Sequence, residues 1–443
     1  MRATLPGVVR VTTAAGALVS LAALVASALA DGETDRGFVE LVGKVDVLAK
    51  EVARLRGLGL KKPIKKVVLT TADLDARLAT FANTPETRRT TSAEEFGYSR
   101  WGLIPPSTDY AQLLLDLRRD QVLGYYDPQT KSLAMVQRSI VDEKAAELVL
   151  SHEVQHALQD QSFDLAKFEE LPETEADARR ARRALVEGDA LATMVELMLH
   201  RRGSIAPWSD PDITAALEKS MSVPGAGDSL DSAPLAVREA MLFPYRAGLS
   251  FVAALRRRQP WSAVDAAFKK PPKSTEQVLH PERYQAGDAP IPVEIKPLAA
   301  LATWQLGQST VWGELGFTLF LRTHGVDSAQ AAIAGEGWGG DRVVSLVRPD
   351  DPRPERGIGL ARFEWDSEPD AIEAAEAAEK AFDNMIAGAT IEHDHTRTRW
   401  LGVDGTISWI ERKGPSLVMV LGVPAWLARS IDPWAASSAK KKR

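Results

Sequence analysis

The chain has 443 residues, with 54 Lys and Arg against 60 Asp and Glu, a formal charge of -6, and no cysteine. Without cysteine there is no disulfide, no thiolate metal site and no lipid on an N-terminal cysteine, so any metal must be held by histidine and carboxylate. The mild excess of acid argues against nucleic acid as a partner, and the length exceeds what one core usually serves, so two domains are expected.

The first thirty residues carry Arg2 and Arg10, no acid, and an apolar run from Ala14 to Ala30. This is the layout of a signal peptide, and the small-x-small pattern Ala28-Leu29-Ala30 before the polar Asp31 places cleavage after Ala30. An uncleaved anchor is the other reading, since the run is about the minimum that spans a bilayer. On either reading the bulk of the protein lies outside the cytoplasm, secreted or in the cell envelope.

Phe38, Leu41, Val45, Leu48, Val52 and Leu55 recur at spacings of three and four, which predicts an amphipathic helix bracing the domain that follows. Lys65 to Thr71 reads as a strand, Ala72 to Phe81 as a short helix, and polar Asn83 to Ser92 as an exposed loop. A helix from Ser107 to Arg119 leads to a hairpin with its turn at Asp127-Pro128, and Ser132 to Gln137 as its second strand. The next helix starts near the capping residues Ser139 and Asp142, and its apolar face runs through Ala145, Leu148, Val149, His152 and His156.

A second long helix is expected from Thr174 to Met198. The Pro-, Gly- and Ser-rich stretch from Gly203 to Asp231 reads as a lid or an inhibitory cover. Further helices are predicted at Pro234 to Arg257, kinked at Pro244, and at Trp261 to Phe268, Trp312 to Thr323 and Asp327 to Ala334. From Val343 the pattern turns to strands: Val343 to Val347, Gly359 to Trp365, Thr390 to Trp400, Thr406 to Glu411 and Leu417 to Leu421, with a helix from Asp370 to Ile386 among them. Lys440 to Arg443 reads as a solvated basic tail.

His152 and His156, four apart on a helix, point both imidazoles the same way, which suits two ligands of one tetrahedral zinc ion. Glu153 between them then faces the open coordination position, where its carboxylate can take a proton from a zinc-activated water and pass it to a leaving amine. The competing reading is two core histidines satisfied by backbone carbonyls beside a surface glutamate. His393 and His395 form another close pair, in a predicted strand, and read as a solvated strand face.

A third ligand is needed, and Glu187 is the best candidate. It is a carboxylate among the apolar neighbours Ala184, Leu191 and Met194, where its charge is costly unless a cation pairs with it. Its rival role is a salt bridge to Arg183. Gly188 beside it lacks a side chain in mid-helix, which makes sense if another helix passes close, and Asp189 is placed to orient a ligand histidine through its free ring nitrogen. Hydrolysis also needs a donor for the oxyanion, for which Tyr245 and His280 are the candidates and Tyr284 a weaker third. An extended substrate could pair with Ser132 to Gln137 as an edge strand.

His152-Glu153-Val154-Gln155-His156 with a downstream helical glutamate resembles the gluzincin metallopeptidases. More narrowly, the chain resembles a group of secreted bacterial metallopeptidases in Gly124 to Pro128, Ser151 to Gln161, Leu185 to Ala190, Phe243 to Gly248, Ser274 to Pro281 and Gly337 to Arg342. The resemblance spans about residues 110 to 345. It implies a zinc peptidase fold with His152, His156 and Glu187 as metal ligands and Glu153 as the base, although the gap between His156 and Glu187 is longer than in familiar gluzincins.

The expected organisation is α+β: a signal peptide over 1–30, the bracing helix over 31–60, a mostly helical zincin-like domain with a small edge-strand sheet over 61–342, a smaller α+β domain over 343–435 and a basic tail over 436–443. The expected activity is hydrolysis of a peptide or protein substrate, with no stable membrane span once the signal is removed. A zincin-fold binding or scaffolding protein that no longer cuts is the alternative, and a zinc hydrolase acting on a non-peptide amide is a third.

Overall fold

In the computed structural model the described residues are 29–30, 36–119, 124–137, 139–140, 142–204, 208–209, 228–257 and 259–439. The expected signal segment is outside them apart from Leu29–Ala30, a two-residue strand against Ser139–Ile140. The greater part of the expected lid and the four terminal basic residues are outside them too. Among the described residues no helix is long and apolar enough to cross a membrane.

The fold is mixed α+β, with a helical part followed by a large sheet. The helix Arg36–Arg56 buries Phe38, Leu41, Val45, Leu48 and Val52, the predicted stripe, in the same core as the helices Glu143–Phe163 and Ala176–Arg201. Glu143–Phe163 starts where Asp142 accepts hydrogen bonds from the Lys144 and Ala145 amides. From Val149 to Asp160 every side chain of that helix is buried, so it is enclosed on all sides and not just on one stripe.

Ala176–Arg201 crosses Leu235–Arg256 at two glycines. A Cβ on Gly188 would lie 2.0 Å from the Gly248 carbonyl oxygen, so the bare backbones are in contact, as the mid-helix Gly188 suggested. Leu235–Arg256 carries Pro244 within its length.

Beside these helices lies a three-stranded sheet in the order Lys65–Leu69, Ser132–Val136, Gly124–Asp127. This corrects the expectation that residues 132–137 form an edge. They are the central strand, paired in parallel with Lys65–Leu69 on one side and buried throughout. The free edge belongs to Gly124–Asp127 and Lys65–Leu69.

The expected loop at 83–92 is instead the start of a helix, Pro85–Arg100. Thr84 caps it by accepting from the Thr87 amide, and Pro85 supplies a preset φ at its first turn. Its polar sequence masked it, since what it buries is Gly97, Ser99 and Arg100.

The second part is a seven-stranded antiparallel sheet in the order Gly388–His393, Arg397–Gly402, Thr406–Lys413, Ser416–Pro424, Ile358–Trp365, Trp338–Val347, Gln305–Thr310. Helix Glu368–Met385 packs on one face through Ala371, Ala374, Ala378 and Ala381, whose small side chains join the Trp312, Phe317, Phe320 and Phe363 core. The other face is covered by Leu427, Ala428 and Ile431.

Three expectations about this part are corrected. The boundary at 343 falls inside the strand Trp338–Val347, and the sheet begins at Gln305. Residues 390–400 form two strands of a hairpin, turned where the Asp394 carboxylate accepts from the Thr396 and Arg397 amides. Ser437–Ala439, placed in the tail, forms a strand against Val293–Ile295. Trp101, at the end of Pro85–Arg100, sits in the core of the sheet 5.1 Å from Trp312, so the two parts share packing.

Candidate metal centre

The motif helix and the Ala176–Arg201 helix bring three acceptor atoms together. His152 Nε2 and His156 Nε2 are 2.9 Å apart, and Glu187 Oε2 is 3.2 Å from the first and 3.3 Å from the second. With bonds of about 2.0–2.1 Å, two ligands of a tetrahedral zinc ion stand about 3.3–3.4 Å apart. The two edges to Glu187 come close to that size while the edge between the histidines is shorter, and all three residues are buried.

The surrounding hydrogen bonds fix which nitrogen faces that triangle. Gln159 donates from its amide nitrogen to Val186 O at 2.9 Å and Asp189 Oδ2 at 2.7 Å, so its amide oxygen is left to accept from His156 Nδ1 at 2.8 Å. A neutral His156 then carries its lone pair on Nε2, toward His152 and Glu187. His152 Nδ1 is buried without a hydrogen-bond partner among the described residues.

The three groups lie close enough to set one another's charge. Burial and the neighbouring His156 hold His152 down to about 4. Burial opposes a charge on His156, but the Glu187 carboxylate outweighs it and raises His156 to about 9. Burial likewise opposes the charge of Glu187, which His156 nevertheless holds below the usual carboxylate range. At neutral pH a proton on His156 thus balances the Glu187 carboxylate, and two imidazoles and a carboxylate are also a donor set that suits a divalent cation in that proton's place.

Glu153 is 4% exposed, and burial raises its carboxyl to about 7. Its Oε2 accepts the Tyr126 amide at 2.8 Å, so the edge strand Gly124–Asp127 holds the carboxylate in place. That strand is itself tied to the motif helix: the Tyr126 hydroxyl donates to Asp160 Oδ2 at 2.8 Å, and Lys131 reaches the same carboxylate at 3.0 Å.

Arg183 and Glu187 do meet, at 3.6 Å, but through Oε1, the oxygen turned away from the histidines. The ion pair thus leaves Oε2 to the two histidines. Arg183 also binds Glu169 at 2.8 Å.

Sequence reasoning missed Gln155, Gln159 and Arg56 and misplaced Asp189. Asp189 reaches the ligand histidine through Gln159, not directly. Its two oxygens take Gln155 and Gln159 on one side and Arg56 Nε, at 2.5 Å, on the other. The signal was available, since Gln155, Gln159 and Asp189 lie on the buried faces of the same two helices.

His280 is not brought to the triad. Its Nε2 lies 2.9 Å from Glu314 Oε1 and its Nδ1 3.7 Å from Glu282. The turn before it is anchored by Thr275 on Asp177, ten residues or about 15 Å along the helix from Glu187. Tyr284 donates to the Lys270 carbonyl. Tyr245 is buried in Leu235–Arg256, near enough to act electrostatically on Arg183. His393 bonds Thr398, on the neighbouring strand.

One other carboxylate group has metal-like spacing among the described residues, Glu276, Asp288 and Asp366. The Arg283 guanidinium bonds all three, so that space is already filled by a cation.

Residues 303–429 match the model of a family described as a domain of unknown function, DUF8575. That segment coincides with the seven-stranded sheet and lies wholly outside the metal centre. No curated protein and no solved structure matches the chain.

Proposed function

We propose that the chain is a zincin-like, zinc-dependent peptidase of the cell envelope or exterior. The reading rests on one observation above the rest: the triangle of His152 Nε2, His156 Nε2 and Glu187 Oε2, with edges of 2.9 to 3.3 Å, beside a carboxylate held by a backbone amide. A zinc ion bound there supplies Lewis acidity and brings the pKa of a water toward neutrality.

Glu153 would serve as the proton acceptor for a water activated there. Burial matches its carboxyl to the task, because a base near 7 both accepts the proton and can return it to the leaving amine nitrogen. The Tyr126 amide fixes the carboxylate so that it need not reorganise as it does so. Arg183, 3.6 Å from Glu187 Oε1, and Tyr245, which acts on Arg183 electrostatically, are the candidate donors for charge developing on the scissile carbonyl.

The near-complete burial of Glu153 and His156 favours a second reading, a metal held for stability in a binding or scaffolding protein. Zinc content of the full chain, with cleavage of an unfolded protein in the same samples, separates the two. The peptidase reading expects about one zinc in wild type and Glu153→Gln, little in Glu187→Ala, and cleavage by wild type alone. Zinc without cleavage transfers the weight to the binding protein, and wild type that takes no zinc overturns both.

A further inference from the structure

A cleft of about 280 Å³ lies against the metal centre, lined in part by Glu94, Tyr98, Arg118, Arg179, Arg180 and Arg183. Arg183 and Glu169 also line a cavity of about 20 Å³ that His156 faces, so the two spaces share a wall. Glu86, Glu94, Glu169 and Glu173 line it as well, so acid and base are balanced in the cleft. Four arginines face it.

Three of the four have partners. Arg183 binds Glu169, Arg179 donates to the Pro172 carbonyl, and Arg180 donates to the Tyr98 hydroxyl. Arg118 is different. It is 7% exposed and makes no hydrogen bond or ion pair among the described residues, and its guanidinium rests 5.3 Å over the Phe81 ring. The Glu94 carboxylate acts on it electrostatically without an ion pair, and Glu94 Oε2 accepts from the Tyr110 hydroxyl. A mostly buried guanidinium whose donors touch no carboxylate keeps its fork free for one.

We propose that this cleft binds a carboxylate of a peptide substrate next to the bond to be cut, with Arg118 as its anchor. The proposal rests on the peptidase reading for the word substrate, but the site itself needs only binding. The carboxylate can come from the end of a chain or from an acidic side chain. The first source makes the protein cut near C termini, the second makes it prefer acidic residues beside the bond.

The test uses the full chain carrying Glu153→Gln, so that nothing is cut, and isothermal titration with two pairs of N-acetylated pentapeptides. One pair differs as C-terminal acid against amide. The other, amidated at its end, differs as one internal glutamate against glutamine. The expected result is that the acid of one pair binds about tenfold tighter than its amide, the size of one charge-assisted contact, and that pair names the source.

Adding Arg118→Gln should erase the preference, and Arg118→Lys should keep part of it. The Gln variant should melt no lower than its parent, since it removes an unpaired buried charge, and melting checks that it is folded. Equal binding within both pairs, no measurable binding of any peptide, or a preference that survives Arg118→Gln overturns the site. Cleavage by wild type without any such preference removes the carboxylate site and keeps the peptidase, whereas the preference without cleavage removes the peptidase and keeps the site.

Discussion

Gln159 stands between His156 and Asp189, taking the Nδ1 hydrogen of the histidine on its amide oxygen and giving an amide hydrogen to the carboxylate. The direction of both bonds is set by Val186 O, which only the NH₂ group can satisfy. Gln159→Met keeps the volume and loses the relay, so His156 is free to adopt the other tautomer. Zinc affinity, measured by competition with a chelator, should fall about 10- to 100-fold. Unchanged affinity would remove the relay from the metal site.

The Gly188–Gly248 crossing supplies a test of packing that is independent of chemistry. A Cβ at Gly188 meets the Gly248 carbonyl at 2.0 Å, and both partners are backbone that cannot swing aside. Gly188→Ala should therefore cost about 1–3 kcal/mol or more in denaturant unfolding, and should lower zinc affinity because Glu187 rides on the same turn. Gly43, in Arg36–Arg56, has nothing within 4 Å of its would-be Cβ, so Gly43→Ala should stabilise by up to about 1 kcal/mol. Equal effects at the two glycines would contradict the crossing.

The histidine pair and Glu187 were legible because they break local rules. Two imidazoles on a buried helix face and a carboxylate among Ala184, Leu191 and Met194 both demand a partner. Gly188 was legible for the same reason. The helix Pro85–Arg100 was not, since its sequence is polar on nearly every face, and its order comes from its ends and from the sheet beside it.

The central position of Ser132–Val136 depends on Lys65–Leu69, far back in the chain and parallel to it, which no local alternation reports. Gln305–Thr310 is likewise a strand only because Trp338–Val347 is beside it, so the sheet looked shorter than it is. His280 sits in a polar segment as a catalytic donor would, yet Glu314, which claims its ring, lies 34 residues away in sequence.

Stability should fall as pH rises, and Asp177 is a main reason. Burial raises its carboxyl from 3.8 to about 8, with Thr275 opposing and Asp341 assisting. A carboxyl raised on folding binds a proton in the native state that the unfolded chain has released. Its contribution is thus lost as pH climbs from its unfolded value to its folded one. Between pH 6 and pH 9 this should cost on the order of 2 kcal/mol. Asp177→Asn keeps an oxygen to accept from Thr275 and should flatten that part of the decline. Glu276, also raised to about 8 by burial, accounts for a remainder. Parallel pH profiles for the two proteins would show that Asp177 titrates normally.

Arg56 links the bracing helix to the metal centre. Its side chain is fully buried, with Nε on Asp189 at 2.5 Å, Nη2 on Asp265 at 2.8 Å, and its guanidinium 4.3 Å over Trp261. Arg56→Met leaves Asp189 buried with only the two glutamine amides for company, which should cost about 3–5 kcal/mol. Removing both charges with Arg56→Met and Asp189→Leu should recover much of that stability, because the pair itself gains little over apolar packing. It should not fully recover zinc affinity, since Gln159 keeps Val186 O but loses the carboxylate that polarises its amide toward His156. The double variant therefore divides the two roles. Stable protein with weak zinc binding means that Arg56 and Asp189 serve the metal through Gln159, and stable protein with full affinity means that their pairing holds the helices together and nothing more.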